Sequence, residues 1–249
     1  PMSNINNTFF KGVYKDVWRE LIPAGLTEAE AEFIIDEAGL QADYSVADIF
    51  CGYGRHTLSL ARKGVRVTAI DNSPEYIKEI QSISKEENLP VQPNSTDIIS
   101  ASLGEGHQAV ICMGNSFSFF NRQDTEQLLK SIGKALAHQG KLIINSWMIA
   151  EIAIRHFKEK EWYEAGPFKC ILDYTFLFNP DRIESEQTII APDGSIERIE
   201  GIDYIYSLDD LKVMLQAAGL KITGLFSTPR KRKFVLGDPR IYIVAEKII

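Results

Sequence analysis

Chemistry in this chain concentrates where glycines and acids are spaced around short apolar runs. Ser45 to Phe50 is an apolar run of strand character, broken at Gly52 and Gly54 and followed by a helical pattern, Thr57 to Lys63. Strand, glycine turn and helix together bring backbone N–H groups and a helix N-terminus up to a ligand. Glycine suits such a turn because it accepts positive φ and lets a ligand approach without meeting a Cβ. A second apolar run, Val65 to Ile70, ends in Asp71. The spacing from Gly52 to Asp71 is close to the ~20 residues at which an acid accepts hydrogen bonds from ribose hydroxyls. An acid before Asn72-Ser73-Pro74 could also simply cap the next helix. The third glycine of a dinucleotide fingerprint would fall at Thr57. A pyrophosphate turn is therefore not expected, and the ligand reads as an adenosine lacking a pyrophosphate.

The elements that must hold these residues alternate between strand and helix from Val46 to Trp147. Strands are expected at 46–50, 65–70, near 91, at 109–113 and at 141–145. Helices are expected at 56–63, 74–86 and 124–138. Ser73 and Pro74 supply a cap and a first-turn proline. Leu128, Leu129, Ile132 and Leu136 form an apolar helical face. Upstream, residues 9–39 read as two helices, the second opened by a capping box of Thr27 and Glu30. From 151 to 207 the pattern becomes alternating, with turns at Asn179-Pro180-Asp181 and Pro192-Asp193-Gly194. Three antiparallel strands are expected there, at 168–178, 182–190 and 195–206. A helix at 208–218, with Ser207 and Asp210 as a capping box, precedes a closing hairpin of 222–226 with 241–245. The fold class is α/β: a doubly wound, mostly parallel Rossmann-like sheet with an inserted antiparallel segment and a terminal antiparallel hairpin.

Composition narrows the class. At 249 residues, 45% hydrophobic and 24% charged, the chain can bury a sizeable core without disulfides or metals. Cys51, Cys112 and Cys170 are odd in number and widely spaced, so neither a disulfide framework nor a zinc site is expected, and burial is the favoured role. A net charge of −7 offers no overall field for nucleic acid. The run Arg230 to Lys233 reads as a solvated hairpin loop, with an anionic acceptor or RNA contact as the alternative. No apolar run approaches the ~18 residues of a membrane span. Residues 1–7 are polar and lack the regions of a signal peptide, so the expected address is the cytoplasm.

The segment Asp48-Ile49-Phe50-Cys51-Gly52-Tyr53-Gly54-Arg55-His56 resembles the first motif of class I S-adenosylmethionine-dependent methyltransferases. Asp71 matches the acid closing their second strand, Asp97-Ile98 the third motif, and the run from Ala109 to Phe117 the fourth. The last is similar to the small-molecule methyltransferases of the glycine N-methyltransferase type. The resemblance implies S-adenosyl-L-methionine as cofactor and a small-molecule methyl acceptor, with nitrogen preferred over oxygen. It implies four segments: a helical lid at 1–40, a cofactor-binding core at 41–150, inserted strands covering the substrate at 151–207, and a closing helix and hairpin at 208–249. The cofactor-binding residues it implies are Tyr14, Trp18, Phe50, Gly52, Gly54, Arg55, Asp71, Asn72, Asp97, Ile98, Met113, Gly114, Asn115 and Phe117.

Within that set, Asp97 would accept from the adenine amine, with Ile98 and Met113 about the ring. Tyr14 and Trp18 would face the sulfonium, where a cation–π contact helps, or pack as ordinary helix residues. Arg55 would pair with the methionine carboxylate or with a local acid, and His56 reads as a first-turn helix residue rather than a base. Methyl transfer from a sulfonium needs orientation and exclusion of water more than a strong base, so no triad is expected. Asn115, Ser116 and Tyr174 are the candidates for orienting an acceptor, and Tyr204 and Tyr206 for lining its site. Competing readings are a nicotinamide-dependent oxidoreductase, disfavoured by Thr57, a cofactor-binding protein without turnover, and an RNA methyltransferase.

Overall fold

A computed structural model describes residues 4–248. The first three residues of the expected lid and the last residue of the closing hairpin lie outside the described residues.

The chain starts with a single helical turn, Ile5–Thr8, then α1 (Tyr14–Glu20) and α2 (Leu26–Ala38). The alternating core follows: β1 (Ser45–Ile49), α3 (Arg55–Arg62), β2 (Arg66–Asp71), α4 (Pro74–Glu86), β3 (Val91–Ser95), β4 (His107–Cys112), α5 (Arg122–Ala135) and β5 (Leu136–Ser146). Then come α6 (Ala150–His156), β6 (Lys160–Ala165), β7 (Phe168–Leu177), β8 (Arg182–Ile190), β9 (Ile196–Tyr204), α7 (Leu208–Ala217), β10 (Leu220–Phe226) and β11 (Ile241–Lys247).

The main sheet has the order β10-β11-β5-β4-β1-β2-β3. Strands β1 to β5 pair in parallel, and the β10–β11 hairpin closes the sheet antiparallel against β5. Successive side chains of a strand face opposite sides, and both sides here are buried. Ala47, Ile49, Val110, Cys112, Leu142 and Ile144 meet Leu128 and Ile132 of α5 and Leu215 of α7 on one side. Val46, Ile111, Ile143 and Val244 meet Phe33 and Ile34 of α2 and Leu60 of α3 on the other. Each Val, Leu, Ile or Phe among them contributes roughly 1.5–3 kcal/mol by leaving water. The order reverses between β1 and β4, so a crevice opens beyond their carboxyl ends, where the Gly52 turn, Asp71 and Gly114 all lie.

The inserted segment forms a separate antiparallel sheet of four strands, β6-β7-β8-β9, where the sequence pattern suggests three. The extra strand, β6, is an exposed edge of mixed charge, Lys-Glu-Trp-Tyr-Glu-Ala, and lacks the apolar alternation that marks a half-buried strand. A second departure lies at α2. Its N-cap is Gly25, with no side-chain cap, and the expected Thr27–Glu30 capping box does not form. Glu30 is instead drawn into the core by stronger partners described below. The Ser73 cap and the Ser207–Asp210 capping box form as read. All three cysteines are buried and free. The basic loop is tied down: Lys231 pairs with Asp36 and Glu37 of α2, and Arg232 with Asp238. Among the described residues, no helix is long and apolar enough to cross a membrane.

Candidate active site

The crevice holds a cleft walled by the Gly52 turn, the end of β2, the turn after β4 and the N-terminal segment. Of the residues expected to hold the cofactor, Trp18, Phe50, Gly52, Arg55, Asp71, Asn72, Met113 and Gly114 line it. Ser116, an acceptor candidate, lines it as well.

The glycine turn is positioned from both sides. Gly52, at φ +55°, donates its amide to Asp71 Oδ2 at 2.9 Å, while Asp71 Oδ1 accepts from the Ser73 amide at 2.9 Å. A Cβ at Gly52 would meet nothing within 4 Å, so this backbone faces open cleft. Gly54 begins α3 with no side chain to cap it, which leaves the first helical N–H groups available to a ligand. It does not line the cleft; its own Cα packs on Ile80, where a Cβ would sit 2.6 Å from Cγ1.

Asp48 and Thr57 account for the missing third glycine. Both are buried, and the Thr57 hydroxyl donates to Asp48 Oδ2 at 2.6 Å, which fastens α3 to β1 through a side-chain bond. Burial raises the Asp48 pKa despite the nearby His56, Thr57 and Arg55 that oppose the shift.

Arg55 has a local acid. Its Nη1 donates to Glu30 Oε2 at 2.6 Å and to Thr27 Oγ1 at 3.3 Å. His56 Nε2 lies 2.8 Å from the same Glu30 oxygen, and Tyr242 Oη donates to Glu30 Oε1 at 2.6 Å. Burial alone would raise the Glu30 pKa, but its bond and attraction to His56, the Arg55 charge and the Tyr242 hydroxyl outweigh that and bring it down to about 2. Arg55 is thus anchored at Nη1 while still lining the cleft.

Other expected site residues stand back from the cleft. Tyr14 is buried in an aromatic group, its ring centroid 4.7 Å from Phe9 and 5.4 Å from Phe10. Asp97 is exposed and accepts from the Ile99 amide at 3.0 Å, while Ile98 and Phe117 are in the core. Asn115, at φ +72°, uses its amide to hold the turn. Its Oδ1 accepts from Ser146 Oγ and the Trp147 amide, and its Nδ2 donates to Asp203 at 3.2 Å. Tyr174 lines a second cavity, Tyr204 packs at the edge of the core, and Tyr206 donates to the Phe120 carbonyl at 2.8 Å.

Asp203 on β9 is a polar residue that the sequence reading passed over. Its carboxyl accepts from Asn115 and from the Ser118 hydroxyl, joining the inserted sheet to the turn after β4. The residue keeps some exposure, but its carboxyl is enclosed, and burial raises its pKa to about 6 against those two hydrogen bonds. A lone acid in the apolar run Ile202-Asp203-Tyr204-Ile205 was the available signal. Asn6 is another. Its Nδ2 donates to the Ile202 and Phe119 carbonyls, and its Oδ1 accepts from the Ile202 amide, so the N-terminal segment is strapped across the cleft.

Residues 46–140 match the family model described as a methyltransferase domain. The match takes in the glycine turn, Asp71 and Gly114 and covers less than half of the chain. A glycine/sarcosine N-methyltransferase from Parasynechococcus marenigrum is 28% identical over 136 residues, 53% of this chain and 48% of that protein. The chain spans about half the length of that relative. Its fold is that of an S-adenosylmethionine-dependent methyltransferase from Clostridium acetobutylicum, at TM-score 0.81 and 18% identity, with 96% of this chain and 98% of that one covered. It is also that of CalS10, an amino pentose methyltransferase from Micromonospora echinaspora solved with S-adenosylmethionine bound, at TM-score 0.69 and 17% identity, covering 95% and 97%.

The cleft suits the cofactor of such methyltransferases, S-adenosylmethionine. Asp71 has lone pairs beyond the two used by Gly52 and Ser73, as a ribose diol needs. Gly52 offers backbone without a Cβ in the way. Met113, Phe50 and Trp18 give apolar and aromatic walls for an adenine and a sulfonium.

Proposed function

We propose that this protein methylates a small molecule at nitrogen, using S-adenosylmethionine held in the cleft described above. The observation that carries the reading is the convergence of Gly52, Asp71 and Gly114 on one cleft under an N-terminal strap. The preference for nitrogen is supported by the Gly114-Asn115-Ser116-Phe117 turn and by the similarity to a glycine/sarcosine N-methyltransferase.

When bound, the cofactor supplies a methyl group on a cationic sulfur, open to in-line attack by a lone pair. The protein's own part is placement. Asp71 would fix the ribose, the α3 N-terminus and Arg55 would face the amino-acid end, and Trp18 would stand over the cation. The segment 1–40 acts as the lid, tied down by Asn6, by the Arg19–Glu79 pair at 2.6 Å and by Arg19 stacked 4.4 Å from the Tyr53 ring. Strands of the 151–207 segment roof the acceptor. Excluding water and fixing geometry can supply up to roughly 7–11 kcal/mol of the barrier, so an amine arriving neutral needs no strong base.

Calorimetric titration with S-adenosylmethionine, S-adenosylhomocysteine and NADH tests the reading. Binding of both sulfur ligands and silence from NADH is expected, followed by methyl transfer in an amine screen. Binding of NADH alone would overturn it.

A further inference from the structure

Tyr76 stands in the wall of the cofactor cleft and has no part in the machinery described so far. It is the third residue of α4 and is only 3% exposed. Its backbone amide donates to Ser73 Oγ at 3.4 Å, and the Ser73 amide donates in turn to Asp71 Oδ1. The residue is thereby fixed on the same wall as Asp71 and Asn72. The Tyr53 ring of the glycine turn meets the Tyr76 ring edge-on, with centroids 6.2 Å apart, and Arg19 of α1 stacks on Tyr53. The Tyr76 hydroxyl is buried and has no hydrogen-bond partner among the described residues. Arg19 Nε and Ser84 Oγ share that state, but of the three residues only Tyr76 lines the cleft. Burial raises the Tyr76 pKa, so the phenol keeps its proton and remains a donor. Arg19 and Asp71 are the charged groups that act on it most strongly, which sets the hydroxyl near the ribose acid. Hiding a hydroxyl from water without a partner costs free energy, and a ligand that brings an acceptor removes that cost.

We infer that Tyr76 is a further cofactor contact, its hydroxyl donating to an oxygen of the ribose that Asp71 holds. The inference rests on the methyltransferase reading above and adds a residue that selects ribose over deoxyribose. The two side chains are chemically complementary. An ionised carboxylate only accepts, so a ribose hydroxyl bound to Asp71 gives up its one proton there. The ribose oxygen then keeps free lone pairs and calls for a donor. The other donors on that wall are engaged. The Gly52 and Ser73 amides are bound to Asp71, and Asn72 Nδ2 donates to Asn7 Oδ1 at 3.1 Å. Tyr76 is the donor left with nothing to bind.

The test compares the unmutated full chain with Tyr76→Phe, which keeps the ring and its packing on Tyr53. Calorimetry with S-adenosylhomocysteine should show an affinity about 3- to 10-fold weaker in the variant, the loss of one neutral hydrogen bond. That loss should disappear with either the 2′-deoxy or the 3′-deoxy form of the ligand. It should persist with 5′-methylthioadenosine, which keeps the ribose and lacks the amino-acid end. Without ligand, the variant should unfold at the same temperature as the parent or higher, because no bond within the fold is removed. An unchanged affinity, a loss that survives in both deoxy ligands, a loss that vanishes with 5′-methylthioadenosine, or a lower ligand-free Tm would each overturn the assignment. If S-adenosylhomocysteine does not bind the unmutated chain, the methyltransferase reading falls instead. Adenosine against 2′-deoxyadenosine and 3′-deoxyadenosine in the same two chains then decides whether Tyr76 holds a ribose, and adenosine that binds neither chain overturns it.

Discussion

The Gly52 amide donates to Asp71 Oδ2 at 2.9 Å, so the loop after β1 and the end of β2 are one hydrogen-bonded unit. The acid proposed to hold the ribose also fixes the turn that faces the amino-acid end of the same ligand. Charge-assisted bonds of this kind are each worth about 1.5–3 kcal/mol. Asp71→Ala is accordingly expected to weaken S-adenosylhomocysteine binding about 10- to 100-fold by calorimetry. Unchanged affinity would remove Asp71 from the site.

The two glycines of the turn should fail in different ways. Both have positive φ, +55° and +82°, so either change to alanine strains the backbone by about 1–2 kcal/mol. At Gly52 the new Cβ enters open cleft; at Gly54 it collides with buried Ile80. Gly52→Ala should lose ligand affinity with a small fall in Tm, and Gly54→Ala should lose about 2–5 kcal/mol of stability in thermal unfolding. Equal falls in Tm for both would contradict the assignment.

How much of this was legible depends on the range of the interactions involved. The main sheet, its α3, α4 and α7 helices and the Gly52–Asp71 relation follow from local signals: apolar runs, glycine breaks, a Ser-Pro cap. Strand β6 was not legible because most of its residues are charged or exposed, and it gains its place by pairing with β7 and by packing Tyr163 and Ala165 with Tyr14 and Val17 of α1. Glu30 reads as a capping residue from its spacing to Thr27, yet its partners Arg55, His56 and Tyr242 lie 25, 26 and 212 positions away. Asp203 pairs with Asn115 across 88 positions and Ser118 across 85, a contact no local pattern encodes. Asp97 illustrates the converse. Its motif position was legible, but the structure turns it into a local bond to the Ile99 amide, away from the cleft lining.

Glu30 should govern acid stability. Its pKa is about 2 in the fold, below its ordinary 4.5, so its ionised form is the one the fold favours. That contribution, about 3 kcal/mol, is fully present above pH ~4.5 and is lost as pH falls toward 2. Glu30→Gln leaves Arg55 buried without its counter-charge, which costs about 3–5 kcal/mol at neutral pH. Urea unfolding across pH 2–7 should show a smaller pH dependence in the variant over the acid range. Parallel curves would mean that Glu30 is not the group responsible.

Asp203 has the opposite sign. Its pKa is raised from 3.8 to about 6, so the fold favours the protonated acid. That preference is fully present below pH ~4 and is lost as pH rises through 6, which leaves an enclosed carboxylate at neutral pH. Asp203→Asn keeps an oxygen for Ser118 and Asn115 while removing the charge. The variant should be more stable than the parent by about 1–3 kcal/mol at pH 8, a rise of several degrees in Tm, and should show no such gain at pH 4. Thermal unfolding at the two pH values decides the point: a gain that is the same at both would show that Asp203 is ionised throughout.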